Sequence, residues 1–142
     1  MIVVGVDGSD ASKEALRLAL YEATLRGTRV RAVHAWSSLL PVAMASPAYV
    51  ASIDPEPVRQ AAEETLREVV DAVAGERAAD VERALAEGPP GRAILDNAHD
   101  AEIIVLGQRG LGTVGALVLG SVSHQVLHHS RCPVLIVPHP HE

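Results

Sequence analysis

Two hydrophobic patterns alternate along the chain. Runs of consecutive, mostly β-branched apolar residues are typical of strands buried on both faces, and apolar residues every three to four positions are typical of helices packed on them. The predicted strands are residues 2–6, 30–36, 80–86, 103–106 and 134–137, and the predicted helices are residues 10–26, 55–74, 90–98 and 121–129. This alternation predicts one α/β domain over residues 1–142, a doubly wound parallel sheet with helices on both faces.

Two stretches refine this picture. In the first helix the predicted inward residues are Ala15, Leu16, Ala19, Leu20 and Ala23, with Tyr21 as a further candidate. Residues 37–54 contain Pro41 and Pro47 and predict a long loop, but one too apolar for a plain linker. We expect that loop to cover part of the surface.

Composition narrows the class of protein. Apolar residues make up 48% of the chain but aromatic residues only 2%, so the core consists of Val, Ile, Leu and Ala. The net charge of −6, with no basic cluster or aromatic ladder, argues against nucleic-acid binding. Cys132 is the single cysteine, which excludes an internal disulfide and suits a reducing compartment. The absence of a basic leader and of an apolar run of about 18 residues predicts no signal peptide, no membrane span and a cytoplasmic location.

A glycine-rich segment follows the fourth predicted strand. Gly107 and Gly110 are followed, after nine residues, by Gly120 and Ser121, where a helix is predicted to begin. Glycines let the backbone approach an anion, and a helix start offers free N–H groups, here including that of Val122, and a positive dipole end. Ser121 can cap this helix or give its hydroxyl to a phosphate oxygen. The segment therefore predicts a phosphate-binding loop.

Two familiar phosphate motifs do not explain these glycines. A Walker loop needs a lysine at the β- and γ-phosphates, and the single lysine, Lys13, is far away in the sequence. Gly110, Gly112 and Gly115 match a dinucleotide fingerprint, but the only acidic residue that follows is the terminal Glu142. The wide spacing itself, Gly-x-x-Gly-x9-Gly-Ser, is the remaining interpretation.

That spacing resembles the ATP-binding signature of the universal stress protein family. Val4-Gly-Val-Asp-Gly-Ser9 is similar to the end of that family's first strand, and Val33-His-Ala35 is similar to its second strand. Glu87-Gly88 followed by Pro90 resembles the turn after the third strand. Residues 120–129 and Cys132-Pro-Val-Leu-Ile-Val137 resemble its ending, so the similarity covers nearly all of the 142 residues.

The resemblance implies a strand order of 3-2-1-4-5, with a nucleotide across the carboxyl ends of strands 1 and 4. Strand order reverses there, and a site is expected at such a point on physical grounds as well. Related ATP-binding members use the aspartate matching Asp7 and the backbone of the glycine loop. They hold adenine partly through main-chain groups near the position of Val33. The family also contains members that do not bind ATP.

Four further residues have two interpretations each. Asp7 can accept hydrogen bonds from ribose hydroxyls or can only shape the turn after strand 1. Gly5 can admit the nucleotide or can ease helix packing. Arg109 can pair with a phosphate or be a solvated loop charge. Ser123 can reach the phosphates or be an ordinary hydroxyl in the first helical turn.

No catalytic set and no metal site is expected from the sequence. His124 and His128 have the i, i+4 spacing of metal ligands, but no acid or cysteine obviously completes a site. A bound triphosphate needs Mg²⁺, which we expect to be held mainly by phosphates and water. No paired carboxylates or Ser-His-acid set is recognisable near the glycine loop.

The sequence therefore favours an ATP-binding regulatory protein of the stress response. The alternatives are a slow ATP hydrolase or adenylate-forming enzyme, and a dimeric interaction module without nucleotide. In the implied strand order, residues 134–137 form an uncharged apolar edge strand, which predicts a homodimer through that edge.

Overall fold

A computed structural model describes residues 1–37, 54–108 and 119–138 of the chain. Within them the elements are β1 (Ile2–Gly5), α1 (Asp10–Arg26), β2 (Val30–Trp36), α2 (Glu56–Ala74), a 3₁₀ segment (Gly75–Asp80), β3 (Val81–Glu87), α3 (Pro90–Asp96), β4 (Ile103–Gly107), α4 (Ser121–His129) and β5 (Val134–Val137). The five strands form one sheet in the order β3-β2-β1-β4-β5, and every neighbouring pair is parallel. The predicted α/β fold and strand order are confirmed.

Alternate residues of each strand enter two separate cores, one on each face of the sheet. Ile2 and Val4 of β1 pack with α1 and α2, whereas Val3 packs on the opposite face with Ile94 of α3 and Val126 of α4. These three β1 side chains have no exposed surface. Complete burial of such a side chain stabilises a protein by about 1.5–3 kcal/mol, so both faces of β1 contribute to stability.

Besides shifts of one residue at the ends of β1 and β4, at the start of α2 and at the end of β3, the structure differs from the sequence-based predictions in the following details. Tyr21 is 61% exposed, because on a helix it lies roughly opposite the buried stripe of Ala15, Ala19 and Ala23. Helix α3 ends at Asp96 rather than at residue 98, and both the main-chain N–H and the side-chain amide of Asn97 donate to the Ala93 carbonyl at this end. β3 begins one residue later than predicted, after the 3₁₀ segment. The predicted loop 37–54 lies almost entirely outside the described residues.

The two crossovers that flank the centre of the sheet lie on opposite faces. In the β1–α1–β2 crossover, α1 packs on the same face of the sheet as α2. In the β4–α4–β5 crossover, α4 packs on the opposite face. The chain therefore leaves β1 and β4 in opposite directions. This divergence creates a crevice at their carboxyl ends, where α/β proteins with open sheets bind ligands.

Candidate functional site

The main chain immediately after β1 is tied to β2. The Val6 N–H donates to the Val33 carbonyl at 2.9 Å, and His34 Nδ1 lies 2.7 Å from the Val6 carbonyl oxygen. The Val33 carbonyl, in the region predicted to hold adenine, is thus engaged by Val6. The sequence indicated His34 only as part of the predicted second strand, and no local pattern indicated its contact with Val6.

Asp7 forms a hydrogen-bonded turn that leads into α1. Its Oδ1 accepts from the Ser9 N–H at 3.0 Å and from the Ser9 hydroxyl at 2.5 Å. The Ser9 hydroxyl also accepts from the Ser12 N–H and caps α1. Gly8 between them has φ +89°, a conformation that favours glycine. The turn role considered for Asp7 is thus realised through Oδ1, while nothing in the described part of the chain donates to Oδ2.

Gly5 and Gly107 both lie where helices pack closely on the strands. A Cβ atom at Gly5 would lie 2.8 Å from Ile94 Cδ1 and 2.8 Å from Leu106 Cδ2. At Gly107 it would lie 2.9 Å from the Ala11 carbonyl carbon. Close packing therefore accounts for both glycines, whether or not a nucleotide also approaches them.

The segment between β4 and α4 is held at both of its ends. The Gln108 N–H donates to the Val137 carbonyl at 2.7 Å, and the Gly120 N–H donates to the Gln108 carbonyl at 2.9 Å. Arg109 and Gly110, both predicted to contact phosphate, lie outside the described residues. The fixed ends place the start of α4 directly beside the end of β4.

Gly120, rather than Ser121, is the N-cap of α4. Gly120 is buried, its carbonyl accepts from the His124 N–H at 2.9 Å, and it supplies no side-chain cap. Ser121 is the exposed first helical residue. The N–H groups of Ser121, Val122 and Ser123 have no acceptor among the described residues. This helix start therefore presents uncompensated donors beside the crevice.

Ser123 is buried, with only 3% of its surface exposed. Its hydroxyl donates to the Gly107 carbonyl at 2.8 Å and so links the first turn of α4 to the end of β4. The hydroxyl is committed to this contact. The side chain of Ser123 is therefore explained by the second interpretation, an ordinary hydroxyl in the first helical turn. Of Ser123, the N–H group is the donor that stays available to a ligand.

A network of charged side chains lies at the opposite, amino end of the sheet. Arg31, near the start of β2, donates to Glu82 at 2.6 Å, to Asp100 at 2.7 Å and to the Asn97 carbonyl at 2.8 Å. Its hydrogen bond lowers the pKa of the Asp100 carboxyl. These charges satisfy one another and connect β2, β3 and the segment before β4, so their role is structural.

The histidines of α4 approach each other without forming a larger cluster. The ring centroids of His124 and His128 are 4.4 Å apart, and both residues are exposed. Within the described residues no group of three or more His, Cys, Asp or Glu side chains is placed to hold a metal ion.

Residues 1–138 match the sequence profile of the universal stress protein family. The chain belongs to this family. A universal stress protein of Mycobacterium tuberculosis is 37% identical over 139 residues, which are 95% of this chain and 44% of that protein. The chain thus spans less than half the length of this curated relative. None of the described helices is both long and apolar enough to cross a membrane.

Two solved structures of the family contain adenine nucleotides. A universal stress protein in complex with cAMP is 30% identical, with a TM-score of 0.67 over 96% of this chain and 94% of that one. The Archaeoglobus fulgidus protein in complex with dAMP is 31% identical, with a TM-score of 0.67 over 96% of this chain and 95% of that one. Homologues of this chain therefore bind adenine nucleotides.

Proposed function

We propose that this protein binds ATP with Mg²⁺ across the carboxyl ends of β1 and β4, and that occupancy regulates its binding to partners in the stress response. The main support for this proposal is the start of α4. There the N–H groups of residues 121–123 lie beside the crevice and have no acceptor among the described residues. The adenine nucleotides bound by two homologues support the class of ligand.

The phosphates are proposed to lie at the start of α4. Helix N-termini bind anions because the free N–H groups and the helix dipole act together. Gly107, Gly110 and Gly120 would let the loop backbone approach the phosphates, and Arg109 would add a charge. Ser121 would add its exposed hydroxyl.

The nucleoside is proposed to lie over the ends of β1 and β2. Asp7 would use Oδ2 for the ribose hydroxyls, because Oδ1 already accepts from Ser9 and no described residue donates to Oδ2. Adenine would lie against main-chain groups near Val33, beside Gly5.

The lone Cys132, which is not in a disulfide, supports a reducing, cytoplasmic setting.

ATP should bind in a Mg²⁺-dependent manner and turn over slowly, because no catalytic base near the proposed phosphate-binding segment is recognisable in the sequence. Calorimetry with and without Mg²⁺ measures the first part, and a phosphate-release assay measures the second. Identifying any nucleotide released when the purified protein is denatured distinguishes ATP from AMP and cAMP. Absence of heat with all three nucleotides would reject the proposed ligand class, and several turnovers per second would favour the hydrolase alternative.

A second proposed property is a homodimer through β5. β5 is an edge strand of the sheet, and its Leu135 is 37% exposed although apolar. Unpaired edge strands invite pairing with another chain, and a two-fold copy would satisfy the free backbone groups. This dimer is compatible with nucleotide binding and also with the interaction-module alternative.

Leu135→Lys should shift the protein from dimer to monomer, because it places a charge on the apolar edge. Light scattering at micromolar concentration measures the mass. Tyr21→Lys is a matched control, since Tyr21 is also an exposed apolar residue but lies on the outer side of α1. A monomeric parent protein, or an equal effect of both lysines, would contradict the proposed interface.

A further inference from the structure

His34 makes a specific contact with the main chain that precedes Asp7. It is half-buried on β2, and its Nδ1 lies 2.7 Å from the Val6 carbonyl oxygen. A carbonyl oxygen can only accept a hydrogen bond, so Nδ1 must carry the proton. In the neutral ring this contact selects the Nδ1–H tautomer.

The contact completes a double attachment of Val6 to β2. The Val6 N–H donates to the Val33 carbonyl at 2.9 Å, and the Val6 carbonyl accepts from the neighbouring residue His34. β1 itself ends at Gly5, so these two hydrogen bonds extend its alignment by one residue beyond the strand. The peptide group that joins Val6 to Asp7 is thereby held in place.

Asp7 is anchored on its other side by the start of α1. Its Oδ1 accepts from Ser9 twice, and its N–H donates to the hydroxyl of buried Ser12 at 3.3 Å. Among the described residues His34 is thus the one side chain that hydrogen-bonds the Val6 carbonyl, while the Ser12 hydroxyl holds the N–H of the same peptide group. Losing its contact would free the Val6 carbonyl while leaving the Ser9 and Ser12 contacts intact.

We infer that His34 is a positioning residue for ribose recognition: by holding the Val6 carbonyl, it sets the direction of the Asp7 carboxylate in the nucleotide site. This inference rests on the proposed function and deepens it. His34 acts through Asp7, so its loss should weaken recognition of ribose hydroxyls and spare the phosphate contacts at α4.

The test compares two amides at position 34. In His34→Asn the side-chain amide nitrogen can take the place of Nδ1 and keep the hydrogen bond to the Val6 carbonyl. In His34→Gln the amide nitrogen takes the place of Nε2 instead, so that hydrogen bond is lost. Affinities for ATP and for 2′,3′-dideoxy-ATP, which lacks the ribose hydroxyls, are measured for the parent and both variants. We expect His34→Gln to bind ATP about tenfold more weakly and dideoxy-ATP as the parent does, and we expect His34→Asn to recover most of the loss.

The outcomes separate this inference from the proposed function. A parent that binds neither nucleotide would overturn both. A parent that binds ATP, with equal losses for the two nucleotides or no loss in His34→Gln, would overturn the inference alone, since a merely structural role has no reason to depend on the ribose hydroxyls. The same His34→Gln change in an Asp7→Ala background should have no effect on ATP affinity, and an undiminished effect there would contradict action through Asp7.

A second measurement needs no substitution. Nitrogen NMR of the parent protein at a pH where His34 is neutral should show the Nδ1–H tautomer. An Nε2–H tautomer would overturn the inference even if the variants did not fold, because the donor to Val6 would then be missing.

Discussion

Gly120→Val is expected to weaken ATP binding at least a hundredfold. Gly120 is the buried N-cap of α4, directly before the N–H groups of Ser121 and Val122, which have no acceptor in the described part of the chain. A branched side chain there would occupy the space in which a phosphate meets those donors. Loss of two or three charge-assisted hydrogen bonds, each about 1.5–3 kcal/mol, corresponds to at least this change in affinity.

The measurement is the ATP dissociation constant, taken well below the melting temperature of each variant. Gly120→Ala should show a smaller loss, because one methyl group occupies less of the same space. Asp7→Ala should also lose less than Gly120→Val, since it removes only the proposed ribose contact. Unchanged affinity in a folded Gly120→Val protein would place the nucleotide elsewhere. A collapse of the melting temperature would show that Gly120 is needed for folding.

Gly107→Ala is expected to destabilise the fold by about 1–3 kcal/mol, the usual cost of overpacking a well-packed core. The added Cβ atom would lie 2.9 Å from both the carbonyl carbon and the Cβ atom of Ala11. These atoms belong to the first turn of α1, so the clash is relieved only if the helix moves relative to β4. Urea unfolding should show a lower midpoint with an unchanged slope.

Gly91→Ala is the matched control for Gly107→Ala. A Cβ atom at Gly91 would come even closer to a neighbour, 2.2 Å from Oε1 of Gln125. That neighbour is the end of a flexible, exposed side chain, which can rotate away. Gly91 is helical, so alanine also gains up to about 1 kcal/mol of helix propensity, and stability should change little. Equal losses at both glycines would show that the packing against Ala11 is not what makes Gly107 sensitive.

Gly107 and Gly5 of the proposed site show what the sequence could not reveal. The glycine spacing singled out Gly107, and Gly5 was predicted either to admit the nucleotide or to ease helix packing. The sequence could not show which neighbouring residue leaves no room for a side chain at these two positions. The neighbours are Ala11 for Gly107, and Ile94 and Leu106 for Gly5, all distant along the chain. Such contacts exist only after the helices have packed on the sheet.

Hydroxyl and carboxylate side chains show the same limit. Ser123 and Asp7 were each assigned two roles from their positions, and in the structure each hydrogen-bonds to the protein itself. The Ser9 partner of Asp7 is local, so a turn was a sound alternative from sequence. The Gly107 partner of Ser123 is sixteen positions away and becomes a neighbour only when α4 returns to the sheet.

The sequence by itself determined the succession of strands and helices, because burial on a strand or a helix follows the local direction of side chains, with periods of 2 and 3.6 residues. Together with the resemblance it also yielded the strand order. Tertiary structure alone decided that Val6 is tied to β2 by His34 and that Gly107 must lack a side chain. Those properties depend on distances between residues far apart in the chain, which no local pattern encodes.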